Sequence, residues 1–405
     1  MRTHDVVILG AGPAGLSAAA ELKRLGHRNI VILDREKQGG GIPRHCGHTG
    51  YGLLQFGRLM TGPDFAKRMV DQVADLDLRL GHTVLKLEPN GRIQTTGPNG
   101  PETLQAQKVL LAFGARETPR SARLISGTRP WGVMNTGALQ QFAYLHGKAP
   151  FQKPIIIGSE LVAFSSLLTL GHVGVKAVAM LEPRDRITAW RPGDWVARIA
   201  FGVPVLTGCS DLTILGQSRV EGISFKRHGE ARMLEGDGIV FTGQFRPETG
   251  LLTQSHLELD PGTRGPVIDQ LYRCTDASYF AAGNLLRGIE TAGQCYREGK
   301  SAAHAIHAAL TDTLPAATTP IRIEATGALS YAYPQRLTGR GPYDPLLFKA
   351  RATEAVKGTL RVLADGREIW SRPINALPER RIAWRVPAVD LSNTHHLTID
   401  LTPRS

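Results

Sequence analysis

The chain has little cysteine, no long apolar run and no clustered basic charge. Cys46, Cys209, Cys274 and Cys295 are its only cysteines in 405 residues, widely separated, with no CxxC pair among them. A disulfide framework is therefore not expected, cysteine/histidine metal spacing is absent, and a reducing cytoplasm is the expected compartment. No apolar run of about 18 residues occurs, so no transmembrane helix is predicted. The N-terminus reads as fold from Asp5 onward, without a basic leader or cleavage site, and no signal peptide is expected. Lys and Arg number 48 against 36 Asp and Glu, a net charge of +12. The cations are dispersed rather than in runs, so nucleic acid is not the expected partner. Gly (45) and Pro (25) follow no period, which excludes collagen-like and low-complexity classes. The glycines point instead to tight turns and close backbone approaches to a ligand.

What is present is a chain long enough for two to four domains at roughly 100–200 residues each. Asp5–Gly10 (DVVILG) reads as a strand, Pro13–Leu25 as a helix and Asn29–Asp34 (NIVILD) as a second strand, a βαβ unit. A glycine-rich loop with embedded His and Cys follows over Gln38–Phe56. A helix is predicted at Asp64–Asp75, strands at His82–Leu87, Arg92–Thr96 and Lys108–Phe113. The pattern restarts with a strand at Pro154–Ile157, a helix at Leu161–Leu170 and a strand at Lys176–Glu182. A late strand at Ala277–Gly283 precedes a helix at Gly299–Leu310, and Leu314–Pro320 reads as a linker. Beyond it, Lys357–Leu363 and Glu368–Arg372 alternate around an Asp365–Gly366 turn, and Arg380–Val386 and Leu397–Leu401 are further strand candidates. The predicted tail is a small β domain.

Gly10-Ala11-Gly12-Pro13-Ala14-Gly15 sits directly between strand and helix. Gly10 permits the turn, Gly12 lets backbone approach a pyrophosphate, and Gly15 lets helix and strand pack closely. Asp34 ends the second strand, where an acid can accept a hydrogen bond from a ribose hydroxyl. Strand, helix and acid in this order make the dinucleotide signature specific.

GAGPAGLSAA resembles the FAD-binding signature of the two-dinucleotide-domain flavoproteins, the pyridine nucleotide–disulfide oxidoreductases and their relatives. LLAFGARETP (Leu110–Pro119), GIVFTGQFRP (Gly238–Pro247) and GPVIDQLYRCTDASYFAAGN (Gly265–Asn284) are similar to later landmarks of that superfamily, in the same order. The resemblance covers roughly residues 5–310. It implies an α/β fold of two Rossmann-like domains, with a discontinuous FAD domain (1–118 and 251–314), an inserted NAD(P)-like domain (119–250), and the β-rich domain at 321–405. It also implies FAD held by Gly10, Gly12, Pro13, Ala14, Gly15, Asp34, Arg35, Gly41, Gly114, Gly283, Asn284 and Thr291.

Departures from the pattern narrow the function. Asn284 stands where the family has Asp, and can still hydrogen-bond near the flavin's ribityl–phosphate region. The second glycine turn reads Gly158-Ser159-Glu160-Leu161-Val162-Ala163, with Glu160 and Ala163 in place of two glycines. A bulky anion there repels a pyrophosphate, and Glu182 at the next strand end disfavours a 2′-phosphate, so NAD(P) binding is expected to be weak or lost. With no cysteine pair, disulfide reductase chemistry is not expected. His45, Cys46 and His48 form the most unusual loop, and the resemblance places it near the isoalloxazine side of FAD. They read either as acid/base, flavin-tuning or thiolate groups, or as a loop that simply wraps the cofactor. Arg287, Glu290 and Thr291 read either as groups approaching the flavin or as a helix cap. Cys274 and Cys295 read as small buried hydrophobes, His304 and His307 as packing or surface groups, and Trp131, Trp190, Trp195, Trp370 and Trp384 as core or interface.

The motifs look closest to FAD subunits of heteromeric opine-, hydroxyproline- and sarcosine-type dehydrogenases. The expected function is that of an FAD-binding electron-transfer subunit in a heteromeric enzyme for an amine or amino acid. Its expected partners are a second flavoprotein subunit and an iron–sulfur carrier on another chain, because residues 321–405 contain no cysteine. The alternatives are a self-sufficient NAD(P)H-dependent flavin oxidoreductase and an FAD-bound scaffold. Residues 321–405 hold 13 Lys and Arg against 8 Asp and Glu, which marks the tail as a candidate docking surface for an acidic redox partner.

Overall fold

The computed structural model describes residues 3–189, 193–288, 290–317, 320–339, 345–387 and 389–404; Trp190 and part of the expected linker lie outside these. The chain divides into two compact units, residues 1–41, 67–115 and 247–405 in the first, and 42–66 and 116–246 in the second. The glycine-rich loop from residue 42 thus groups with the inserted unit, and the β tail groups with the first unit. The boundaries expected from the sequence place both differently.

The first unit is built on a seven-stranded sheet. Asp77–Leu80, Ile30–Asp34, Thr3–Leu9 and Gly100–Leu111 lie side by side in parallel. The long strand Gly100–Leu111 serves two partners on its other edge. Its first half pairs antiparallel with Arg92–Gly97, and its last residues pair in parallel with Tyr279–Ala281. Val6 to Leu9 and Ile30 to Leu33 are buried on both faces, which is why these strands read as continuous apolar runs rather than alternations. The parallel strands end together, so the turns at their carboxyl ends gather Gly10, Asp34 and Gly283 on one sheet edge.

The last helix of this unit, Ala292–Leu310, begins seven residues before the expected Gly299. In the fold Gly299 is a contact: a Cβ there would overlap the Ala14 carbonyl and the Ser17 hydroxyl of the helix Pro13–Arg24. Ser17 Oγ donates to the Tyr296 carbonyl at 2.9 Å and ties the two helices together.

The tail forms a five-stranded sheet, with order Arg336–Leu337, Ile321–Gly327, His396–Pro403, Val356–Ala364, Arg367–Ala376. A three-stranded sheet of Leu329–Tyr333, Leu346–Ala352 and Ile382–Val386 packs with it over one core. Phe348 and Trp384 stack at 5.5 Å between ring centres in that core.

The second unit carries a five-stranded parallel sheet, with order Val133–Asn135, Gly238–Phe241, Pro154–Ile157, Ala179–Leu181, Val205–Leu206. A four-stranded sheet of Ser126–Gly127, Cys209–Leu215, Gly222–Arg227 and Glu230–Glu235 accompanies it. No helix among the described residues is long and apolar enough to cross a membrane.

Candidate functional site

The glycine turn of the first unit is shaped by contacts that tolerate no side chain. Gly10 has φ +111°, and a Cβ on it would lie 2.6 Å from the Ala112 carbonyl oxygen. A Cβ on Gly15 would overlap the Gly10 carbonyl. Gly12 differs: its nearest neighbour in the Cβ direction is the Gly41 Cα at 3.9 Å, and Gly41 itself (φ +64°) leaves no room for a side chain against Gly12. The Gly40 N–H donates to the Ala11 carbonyl at 2.7 Å, so a second glycine strip closes beside the first.

The helix Pro13–Arg24 starts at this turn with proline in its first turn, no side-chain cap and no acidic residue in that turn. Its N-terminal N–H groups and positive dipole end are left for an anion. Asp34 is fixed at the neighbouring strand end. Its Oδ2 accepts from the Ala11 N–H at 2.7 Å and its Oδ1 from the Glu36 N–H at 2.9 Å, and each oxygen keeps lone-pair capacity for a ribose hydroxyl. Gly283 (φ +76°) meets the same turn from the returning segment, and a Cβ there would lie 2.8 Å from the Ala14 Cβ. Gly114 lies in an open turn (φ +75°), and its carbonyl accepts from the Glu248 N–H at 3.0 Å. Arg35 is exposed. This cradle fits the pyrophosphate and adenosine ribose of FAD. When bound, the flavin supplies reversible two-electron acceptance.

Asn284 has a local task. Its Oδ1 accepts from the Glu290 N–H at 2.7 Å and its Nδ2 donates to the Glu290 carbonyl at 3.2 Å, so it clips the loop that leads into the last helix. Thr291 caps that helix by accepting from the Gln294 N–H. Arg287 is fully buried, pairs with Glu298, and lies 4.3 Å from the Tyr333 ring centre. Glu298 in turn accepts from Lys349 Nζ at 2.7 Å, Tyr333 Oη at 3.1 Å and Gln294 Nε2 at 3.1 Å. Glu290 pairs with Arg287 and with Arg381 at 2.6 Å. Burial works to raise the Glu298 pKa, but the Arg287 and Lys349 charges outweigh it and hold the carboxyl at about 2. No spacing in the sequence marks this network, because its members come from the loop before the last helix, from that helix and from three tail segments.

The second unit repeats the turn but fills it. Gly158 (φ +123°) keeps the bend, and the Glu160 side chain folds back over it. Glu160 Oε2 accepts from Thr242 Oγ1 at 2.8 Å and lies so close to Gly158 that a Cβ there would be 2.6 Å away. Its other oxygen lies against Gly243. Burial pushes the Glu160 carboxyl up. Arg123 lies behind this turn, with its guanidinium donating to the Thr118, Thr242 and Gly243 carbonyls. Glu182, in the position of the ribose acid, is buried and bonded to Ser159 Oγ, whose oxygen also accepts from the Thr188 N–H at 3.0 Å. In this turn the side chain of Glu160 thus lies where the second glycine of the first turn leaves open space.

His45, Cys46 and His48 belong to the second unit. His45 is buried at the end of a short turn, Ile42–His45. Cys46 is buried, with Sγ 3.4 Å from both the Ile42 carbonyl and Gln140 Oε1. Burial pushes its thiol up, which disfavours the thiolate, one of the two readings of this loop. His48 Nδ1 lies 2.9 Å from the Thr49 carbonyl and Nε2 3.1 Å from Ser165 Oγ. All four cysteines are free and buried. Among the described residues no His, Cys, Asp and Glu group is arranged to hold a metal.

Glu117, inside the GARETP landmark, is a further buried acid that its motif did not single out. Oε2 accepts from the Gly137 N–H at 2.8 Å, Oε1 is buried without a partner, and burial raises its pKa to about 6. The fold thus disfavours the ionised form. Relative to a neutral side chain, stability is kept below about 4.5 and lost as pH rises through about 6. Glu117→Gln should therefore raise the thermal midpoint at pH 8, by about 1–2 kcal/mol of stability, and leave it nearly unchanged at pH 4. Melting curves at the two pH values check this.

The family model described as pyridine nucleotide-disulphide oxidoreductase matches residues 4–299 of this chain. A subunit of the opine oxidase of Rhizobium meliloti is 26% identical over 315 residues, covering 69% of this chain and 58% of that protein. The NAD-dependent dihydropyrimidine dehydrogenase subunit PreT of Escherichia coli (strain K12) is 26% identical over 309 residues, covering 75% of this chain and 67% of the relative. The thioredoxin reductase of T. acidophilum shares the fold with a TM-score of 0.64 at 22% identity, over 76% of this chain and 99% of that one. The chain thus matches little more than half the length of the opine oxidase relative.

Proposed function

Because the chain belongs to the pyridine nucleotide-disulphide oxidoreductase family, whose model matches residues 4–299, we propose that it is the FAD-binding electron-transfer subunit of a heteromeric dehydrogenase or oxidase acting on an amine or amino acid. The family makes it an FAD-dependent oxidoreductase. The observation that carries the narrower reading is Glu160, whose carboxylate is bonded to Thr242 over the Gly158 turn. A flavoprotein whose nicotinamide cradle is closed by its own side chain needs another electron donor. Without a cysteine pair, that donor cannot be a dithiol relay within the chain. Two relatives are named as subunits, of an opine oxidase and of a dihydropyrimidine dehydrogenase, which supports a partner chain as the donor.

In this reading the glycine turn and the helix Pro13–Arg24 hold the pyrophosphate, and Asp34 orients the ribose. The Asn284 clip and the Thr291 cap fix the start of the last helix beside that turn. The substrate is oxidised on the partner, and electrons reach this flavin through the assembly. The test is anaerobic: the chain alone, and with a co-expressed partner flavoprotein, is mixed with candidate amines and amino acids while the visible flavin band is recorded. The expected result is reduction of this flavin only with the partner present. Reduction by substrate without a partner would overturn the heteromeric reading.

A further inference from the structure

One salt bridge joins the β tail to the loop that follows Gly283. Arg381, just before the tail strand Ile382–Val386, sets Nη1 2.6 Å from Glu290 Oε2. The Glu290 side chain is only 8% exposed, and its other oxygen lies 3.3 Å from Nε of the buried Arg287. The Glu290 backbone is held as well. Its N–H donates to Asn284 Oδ1 and its carbonyl accepts from Asn284 Nδ2. The next residue, Thr291, caps the last helix. A single acid therefore connects the tail, the Asn284 clip and the start of that helix.

This loop starts inside the cofactor cradle. Asn284 follows Gly283, which has φ +76° and where a Cβ would lie 2.8 Å from the Ala14 Cβ of the glycine turn. The first half of the loop is braced by backbone. Gly265 packs against the Leu285 and Leu286 carbonyls, and Arg264 forms a β-bridge with Arg287. The second half is held by side chains, Asn284 from within the loop and Arg381 from the tail. A loop fixed before its ligand arrives spares binding the entropy cost of ordering it. A carboxylate that accepts from guanidinium groups makes the stronger class of hydrogen bond, and with Glu290 almost out of water the pair is little screened by salt.

We propose that Arg381 is a positioning residue for the flavin: acting through Glu290, it holds Asn284 and Gly283 in the geometry that receives the cofactor. The β tail thereby completes the cradle of the first unit. No motif marks Arg381, which stands 91 positions from its partner. The proposal needs flavin in the first unit and nothing more, so it stands or falls separately from the heteromeric reading.

The test compares Arg381→Met and Arg381→Lys with the wild type. Ile399→Val, a one-methylene loss in the tail core, controls for a general loosening of the tail. Three quantities are measured on the full chain: the Kd for added FAD, the shape of the visible flavin band, and hydrogen exchange at the Glu290 amide in flavin-free protein. For Arg381→Met the expected result is a Kd raised roughly five- to tenfold, an altered band and faster exchange at Glu290. Arg381→Lys should restore most of the affinity, and Ile399→Val should leave all three as in the wild type. In a Glu290→Gln background, Arg381→Met should add no further loss, because both act on one contact. An unchanged Kd for Arg381→Met would overturn the proposal. So would an equal loss in Ile399→Val, a loss that lysine does not restore, or a full additional loss beside Glu290→Gln.

Discussion

Glu298→Gln is expected to lower the stability of the first unit by about 3–5 kcal/mol at neutral pH, the range for breaking a buried ion pair from one side. Glu298 is buried between Arg287 and Lys349, which have almost no solvent contact. Removing its charge leaves Arg287 with Glu290, which already serves Arg381, and takes from buried Lys349 the carboxylate it is paired with. Lys349→Met should cost much less, since Glu298 keeps Arg287. The double variant should recover part of the loss, because one orphaned cation has gone. The pH dependence has a definite sign. The Glu298 carboxyl is held at about 2 against an ordinary value of 4.5. Its contribution is therefore complete above about 4.5 and lost as pH falls toward 2, where wild type and variant should converge. Denaturant midpoints followed through Trp370 and Trp384, which report on the tail, would read both effects. Equal midpoints at pH 7 would show that the network does not hold the tail in place.

Gly15→Ala is expected to give a colourless protein. A Cβ at this position would overlap the Gly10 carbonyl and approach the Ile8 side chain at 3.1 Å, so helix and strand must separate at the turn that holds the cofactor. Overpacking of this kind costs ~3 kcal/mol, roughly a hundredfold in flavin affinity. Flavin content after purification and the Kd for added FAD measure it. Ala163→Gly in the second unit is the informative counterpart. It restores one glycine of a turn still closed by Glu160, and should leave flavin content and nicotinamide affinity unchanged.

The contrast between these two turns shows what the sequence exposes and what it hides. Gly10, Gly12 and Gly15 were legible because each answers a backbone requirement of fixed spacing. Glu160 was legible as an offending residue, but its inward fold onto Thr242 and the engagement of Glu182 by Ser159 depend on the packed unit. The Arg287–Glu298–Lys349–Tyr333 network was not legible, since its residues are separated by up to 62 positions and share no period. The start of the last helix was missed because Gly299 is required by tertiary contact rather than by local propensity. Cys46 between two histidines could be read as a reactive thiolate or as part of a wrapping loop, and only the fold shows the burial that pushes its thiol up. The glycine-rich loop after residue 41 read as part of the flavin segment because chain order is all that a sequence shows; its compact grouping is with the inserted unit.

In the proposed function this flavin does not receive its electrons from a nicotinamide. The most direct measurement is an anaerobic titration of the purified, flavin-loaded chain with NADH and then NADPH, with dithionite as the positive control. The visible flavin band should persist through both nicotinamides and disappear with dithionite. Stoichiometric bleaching by NADH or NADPH, in the absence of any other protein, would contradict the account.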